Sequence, residues 1–213
     1  MCFHLAATSA AKTLEARFKA EFRDAELFEP VAEFNAFAHP ELPVITSHKV
    51  DQIELFHWGM VPAWVRDRAF AEQIRKRTLN ARLETAYEKP SFQESYRLRR
   101  CLVPATAFYE WQHVSKDKIK YKITTDQEIF AFAGLWDTWK DPETHEEWSG
   151  FSILTMPANP LMAKIHNSAC RMPLILRPEN EKEWLNMDRI RPEHLEKIVV
   201  PYPEEKMKAT KIE

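Results

Sequence analysis

Glycine is scarce in this chain, with 3 in 213 residues. A GxGxxG turn or a Walker loop needs several glycines in one short stretch, so phosphate-cradling nucleotide sites are excluded and no cofactor is expected. Cysteine is as sparse. Cys2, Cys101 and Cys170 are too few and too scattered for a disulfide framework, and no CxxC pair is present. Residues 145 to 148 read His-Glu-Glu-Trp rather than HExxH, so no metal is expected. The N-terminus has no basic segment followed by an apolar core, and no later stretch approaches the ~18 apolar residues that a membrane span needs. A soluble, cytoplasmic protein with no membrane contact is the expectation. An excess of one charge is also lacking: 30 Lys plus Arg stand against 32 Asp plus Glu. No overall positive field draws nucleic acid, and any such binding must be local.

What the chain does have is apolar content of 45%, enough at this length for one core. Residues 1–213 read as one domain and, by default, a monomer. Leu14, Phe18 and Phe22, four apart, predict an amphipathic helix over 9–23 with Ser9 as its cap. Short aromatic and β-branched runs bounded by Pro, Gly, Asp or Ser predict strands at 53–58, 100–104, 119–124, 129–133 and 151–155. Helical patterns recur at 68–77, 159–165 and 178–185, the last opening with Pro at a favoured first-turn position. The polar tail from Pro201 is expected to wrap the surface. Strands dominate without the regular alternation of a parallel doubly wound sheet, so the fold class is mixed α+β.

Four places could carry chemistry. Loss of Met1 ahead of the small Cys2 would leave an α-amine of pKa about 7.7–8.0 beside a thiol of pKa about 8.5. That 1,2-aminothiol condenses with an aldehyde to an imine, and its own thiol then closes a stable thiazolidine. The plain alternative is a small buried residue at a frayed end. Asn80, in Asn80-Ala81-Arg82-Leu83-Glu84, could orient an amine, and Arg82 could pair with phosphate; the competing reading is a surface ion network. Glu110 lies between Tyr109 and Trp111, whose rings should desolvate it and raise its pKa, the setting of a general acid or base. A strand-end Glu bound to backbone amides or an Arg is the alternative. His166 could shuttle protons near neutral pH and Arg171 hold a phosphate; a lone His is more often structural.

Together, and in order, these segments resemble the SOS response-associated peptidase family, also called the abasic-site processing family. The resemblance rests on Met-Cys at the start, Asn80-Ala81-Arg82-x-Glu84, Phe108-Tyr109-Glu110-Trp111 and Ile165-His166 followed by Arg171-x-Pro173. The segment from Phe56 to Trp64 and the one from Gly150 to Thr155 add to it. The resemblance implies a curved, largely antiparallel β-sheet or barrel with packed helices. It also implies covalent attachment of Cys2 to abasic sites in single-stranded DNA, with Asn80, Glu110 and His166 gathered around Cys2. Asn80 would orient the amine, Glu110 handle protons and His166 assist opening of the deoxyribose ring. Trp64, Arg82, Thr155, Arg171 and Asn35 match positions near bound DNA.

The chain departs from the family's pattern in Phe3-His4, where many members carry Gly-Arg. It departs again in Asn35-Ala36-Phe37-Ala38, a loose form of the family's Asn-Val-Ala-Pro segment, and in the insertion Asn167 to Cys170. Three other readings compete. One is a cysteine peptidase, including removal of its own Met1. Another is a non-covalent reader of modified DNA, and the third a lyase acting by β-elimination through the imine.

Overall fold

The structure is a computed structural model that describes residues 2–186 and 192–212. The strands are β1 (His4–Ala7), β2 (Glu21–Phe22), β3 (Val31–Asn35), β4 (Glu41–Thr46), β5 (Lys49–Trp58), β6 (Asn80–Arg82) and β7 (Arg100–Ala105). They continue with β8 (Ala107–Val114), β9 (Asp117–Thr125), β10 (Phe130–Lys140), β11 (Glu147–Pro157), β12 (Arg171–Pro173), β13 (Ile175–Leu176) and β14 (Met207–Lys211). The α-helices are α1 (Ala11–Phe18), α2 (Arg68–Arg75), α3 (Leu83–Ala86), α4 (Gln93–Leu98), α5 (Pro160–Ile165), α6 (Pro178–Leu185) and α7 (Pro192–Ile198).

One sheet runs β14-β9-β8-β1-β3, all antiparallel. In the other, β4, β5, β11, β10 and β7 pair in a ring, because β11 meets β10 on one side and β5 in parallel at Gly150 and Phe151. That ring is a small closed barrel: β7 is buried throughout, and β4, β10 and β11 along most of their length. The expected curved sheet or barrel with helices packed on it is therefore the fold. β6 is a short addition that runs parallel to β11, with Asn80 opposite Ile153 and Arg82 opposite Thr155.

Strands form where the aromatic and β-branched runs lie, and α5 and α6 occupy the stretches predicted for them. Two expectations are corrected. The first helix ends at Phe18, because Lys19 turns left-handed (φ 54°) and donates its N–H to the Glu15 carbonyl. Ser9 is not its cap: Ala10 holds that position without a side-chain bond. Phe22 leaves the helix and joins β2, where the Glu15 carboxylate accepts its N–H at 2.9 Å. The polar tail, rather than wrapping the surface, adds β14 to the edge of β9, with buried Met207 opposite Thr125.

Candidate active site

β1 lies between β3 and β8, with His4 opposite Tyr109 and Leu5 opposite Phe108. The chain ahead of β1 therefore brings Cys2 and Phe3 alongside the stretch of β8 that carries Glu110. Cys2 is fully buried, its Sγ 3.6 Å from the His4 carbonyl. Burial pushes its thiol pKa well up, and the nearby Glu110 charge pushes it further. Asn80, set by the pairing of β6 with β11, donates from Nδ2 to the Cys2 carbonyl at 2.9 Å. Its Oδ1 is buried and has no hydrogen-bond partner among the described residues.

Glu110 is buried, and desolvation raises its pKa from 4.5 to about 7. The direction is as expected, and burial is its cause. Strand alternation turns Tyr109 and Trp111 to the opposite face, where they pack with Ala6 and Ala107, while Phe108 and Glu110 face inward.

His166 ends α5, a helix capped by Asn159, whose Oδ1 accepts the Met162 N–H at 2.8 Å. The His166 Nε2 lies 4.0 Å from the Glu110 carboxylate. Its Nδ1 sits 3.0 Å from the Arg171 carbonyl and 3.2 Å from the Arg171 N–H. Burial lowers the His166 pKa, so the ring is neutral when Glu110 is near half ionisation. A carboxyl group that holds its proton to neutral pH and a neutral imidazole thus face each other beside a buried aminothiol precursor. Glu110 can give a proton as an acid and His166 can take one as a base, and the charge each gains in doing so lies beside the other.

The other residues singled out in the sequence are placed as follows. Arg82 is exposed beside the site and 3.9 Å from Glu84. Thr155 is fully buried, its hydroxyl 3.4 Å from the Ala81 carbonyl. Arg171 is buried and turned inward: Glu84 grips its guanidinium through two bonds of 2.5 and 2.9 Å, and the Thr155 carbonyl takes a third at 2.6 Å. The hydrogen bonds of Thr155 and Arg171 therefore go to protein, and both brace β12 against β11. Trp64 is 41% exposed, its indole N–H donating to the Pro90 carbonyl at 3.2 Å and its ring beside Phe70. Asn35 accepts the Phe37 N–H at 3.0 Å and caps the 3-10 turn Ala36–Ala38. The insertion is pinned to β8, since Asn167 exchanges two hydrogen bonds with the His113 backbone.

A cleft of about 390 Å³ opens over Glu110 and His166, walled also by Phe3, His4, Phe37 and Lys118. The sequence reading missed Phe37, Lys118 and His113 at this cleft. β8–β9 pairing delivers His113 and Lys118 as opposite partners, a register that sequence alone leaves open. A larger cavity of about 1090 Å³, bordered by Ile45, Leu102 and Lys182, holds none of these groups. The site follows the chemistry rather than the size of the hollow. Among the described residues no group of three His, Cys, Asp or Glu is arranged to hold a metal ion, and no helix is long and apolar enough to cross a membrane.

The family model described as SOS response associated peptidase (SRAP) matches residues 1–213. The chain belongs to this family. Among similar SRAP relatives, the abasic site processing protein YoqW of Bacillus subtilis is 39% identical over 173 residues, 80% of this chain and 74% of its own. The abasic site processing protein YoaM of the same organism is 36% identical over 175 residues, 80% of this chain and 73% of its own. An X-ray structure of a protein from Bacteroides thetaiotaomicron superposes with a TM-score of 0.95 at 40% identity, covering 100% of this chain and 92% of that one. Homology to abasic site processing proteins thus extends over 80% of the chain.

Proposed function

We propose that this SRAP chain traps abasic sites in single-stranded DNA by forming a thiazolidine with Cys2 once Met1 is removed. The observation that carries the reading is the grip of Asn80 on the Cys2 carbonyl beside the buried Glu110–His166 pair. The α-amine of Cys2 attacks C1′ of the ring-opened deoxyribose, and loss of one water gives the imine. The thiol then adds to the same carbon, its proton passing to nitrogen, so that a C–N and a C–S bond replace the aldehyde C=O. The open acceptor Oδ1 of Asn80 suits a freed amine N–H. Glu110, still substantially protonated near neutrality, supplies the proton that leaves with water and takes one back from the nitrogen as the imine forms. His166 serves the opening of the sugar ring.

In this reading exposed Arg82 is assigned to phosphate, and exposed Asn35 and Trp64 to the flanking nucleotides. Thr155 and Arg171 act by bracing the wall. An abasic site has no base to recognise, so little sequence preference is expected. The peptidase activity in the family's description would turn the same Cys2 thiol on an amide, and the open acceptor of Asn80, placed for the Cys2 amine, favours the trapping reading.

The test is incubation with single-stranded DNA carrying one abasic site, read on a denaturing gel, with intact mass confirming loss of Met1. A heat-stable adduct from the wild type and none from Cys2→Ala is expected. An adduct that persists in Cys2→Ala, or none from Met1-free wild type, would sink the reading.

A further inference from the structure

The cleft over the site is lined by Glu110 and His166 and by the aromatic residues Phe3, Phe37 and Trp111. Phe37 is 60% exposed, so its ring is open to a partner. It is held there: Asn35 accepts its N–H at 3.0 Å, Ala36 donates to the Phe3 carbonyl at 2.8 Å, and the Phe3 ring backs it with centroids 4.8 Å apart. Exposed Lys118 borders the same cleft and supplies positive charge for a backbone, and exposed His113 stands opposite it.

The geometry points to Phe37, backed by Phe3, as a stacking platform for the nucleobase next to the abasic nucleotide. This rests on the trapping reading, which puts the sugar between the platform and Glu110. A strand with its baseless sugar in the cleft carries the next base one nucleotide away, about 3.4 Å per step when stacked. With the lesion's own base gone, a fixed aromatic face takes over the stacking that neighbour has lost. Any base offers a π-face, so the platform selects for the presence of a flanking base and not for its identity. Phe37 is then a specificity-determining residue that favours an isolated lesion over a run of lesions.

The experiment uses oligonucleotides containing tetrahydrofuran, an abasic analogue without an aldehyde, and measures affinity by fluorescence anisotropy. The neighbour on either side is a normal base or a second tetrahydrofuran. The wild type is expected to lose about tenfold or more in affinity when the base on the stacked side is removed. Phe37→Ala should bind the intact-flank strand about that much more weakly and be indifferent to the flank, and Phe37→Trp should restore both. Equal affinities for Phe37→Ala and wild type, retained flank sensitivity in Phe37→Ala, or no binding by the wild type overturns the platform. The analogue cannot form an adduct, so this result is independent of the gel assay that decides trapping.

Discussion

Glu110 is the residue whose surroundings say most about the chemistry. Its motif was legible in the sequence and so was the direction of its shift, because an acid in a run of apolar strand residues has little water to meet. What could not be read was the face. Alternation along β8 turns Tyr109 to the other face, packed with Ala6 and Ala107, while Glu110 is buried on the face it shares with Phe108. The linkage has a definite sign. A folded-state pKa of about 7, above the ordinary 4.5, means the folded protein binds this proton more tightly than the unfolded chain. The resulting stability is full below about pH 4.5 and is lost as pH rises through about 7. Glu110→Gln, which keeps the shape without the charge, is expected to melt progressively higher relative to wild type from pH 6 to 8.5. The wild-type adduct rate should show an inflection near pH 7 that the variant lacks. Parallel melting profiles for the two proteins would contradict the assignment.

At the level of elements, strands were more legible than the ends of helices. The spacing of Leu14, Phe18 and Phe22 satisfies a helix, yet Lys19 turns the chain and Phe22 is buried in β2, a tertiary choice that local periodicity cannot encode. β14 was hidden for a similar reason, since a strand that is mostly polar and exposed gives no pattern until its partner β9 is known. The tail and the site meet at Asn159. Its Oδ1 caps α5, and its Nδ2 donates to the Tyr202 carbonyl at 2.7 Å, so one buried amide fixes both the helix ending in His166 and the approach to β14. Asn159→Ala is expected to cost about 2 kcal/mol, a cap plus a buried hydrogen bond, measured by urea denaturation. Asn159→Ser retains a capping oxygen without reaching Tyr202 and should cost about half as much. Equal losses would show that the cap contributes nothing.

For the molecule as a whole, the scarcity of glycine acquires a structural meaning. Two of the three glycines stand where the barrel closes. Gly59 has a φ of 120° and donates its N–H to the Phe151 carbonyl at 2.9 Å, while a Cβ on Gly150 would fall 2.6 Å from the Gly59 carbonyl oxygen and 3.1 Å from the Met60 Cα. Both neighbours are backbone and cannot step aside. Gly150→Ala should therefore strain the β5–β11 seam by about 1–3 kcal/mol and lower the melting temperature by several degrees in calorimetry. An unchanged melting temperature would mean that the ring does not need this contact. Closure also explains how Asn80 is reached from so far away in sequence. β6 adds to β11 at the seam, and the Trp58 indole at the end of β5 donates to the Leu79 carbonyl at 2.8 Å just before it.

The sealed position of Cys2 has a consequence in the economy of a crowded cell. An aminothiol open to solvent would meet small metabolic aldehydes and oxidants far more often than damaged DNA, and a reagent that reacts once is spent at the first encounter. Enclosure turns selectivity into a matter of entry: a free aldehyde brings nothing to hold it in the cleft, whereas one carried on a polynucleotide arrives tethered and stays. On the proposed chemistry, what the protein conserves by hiding its sulfur is its single opportunity to react.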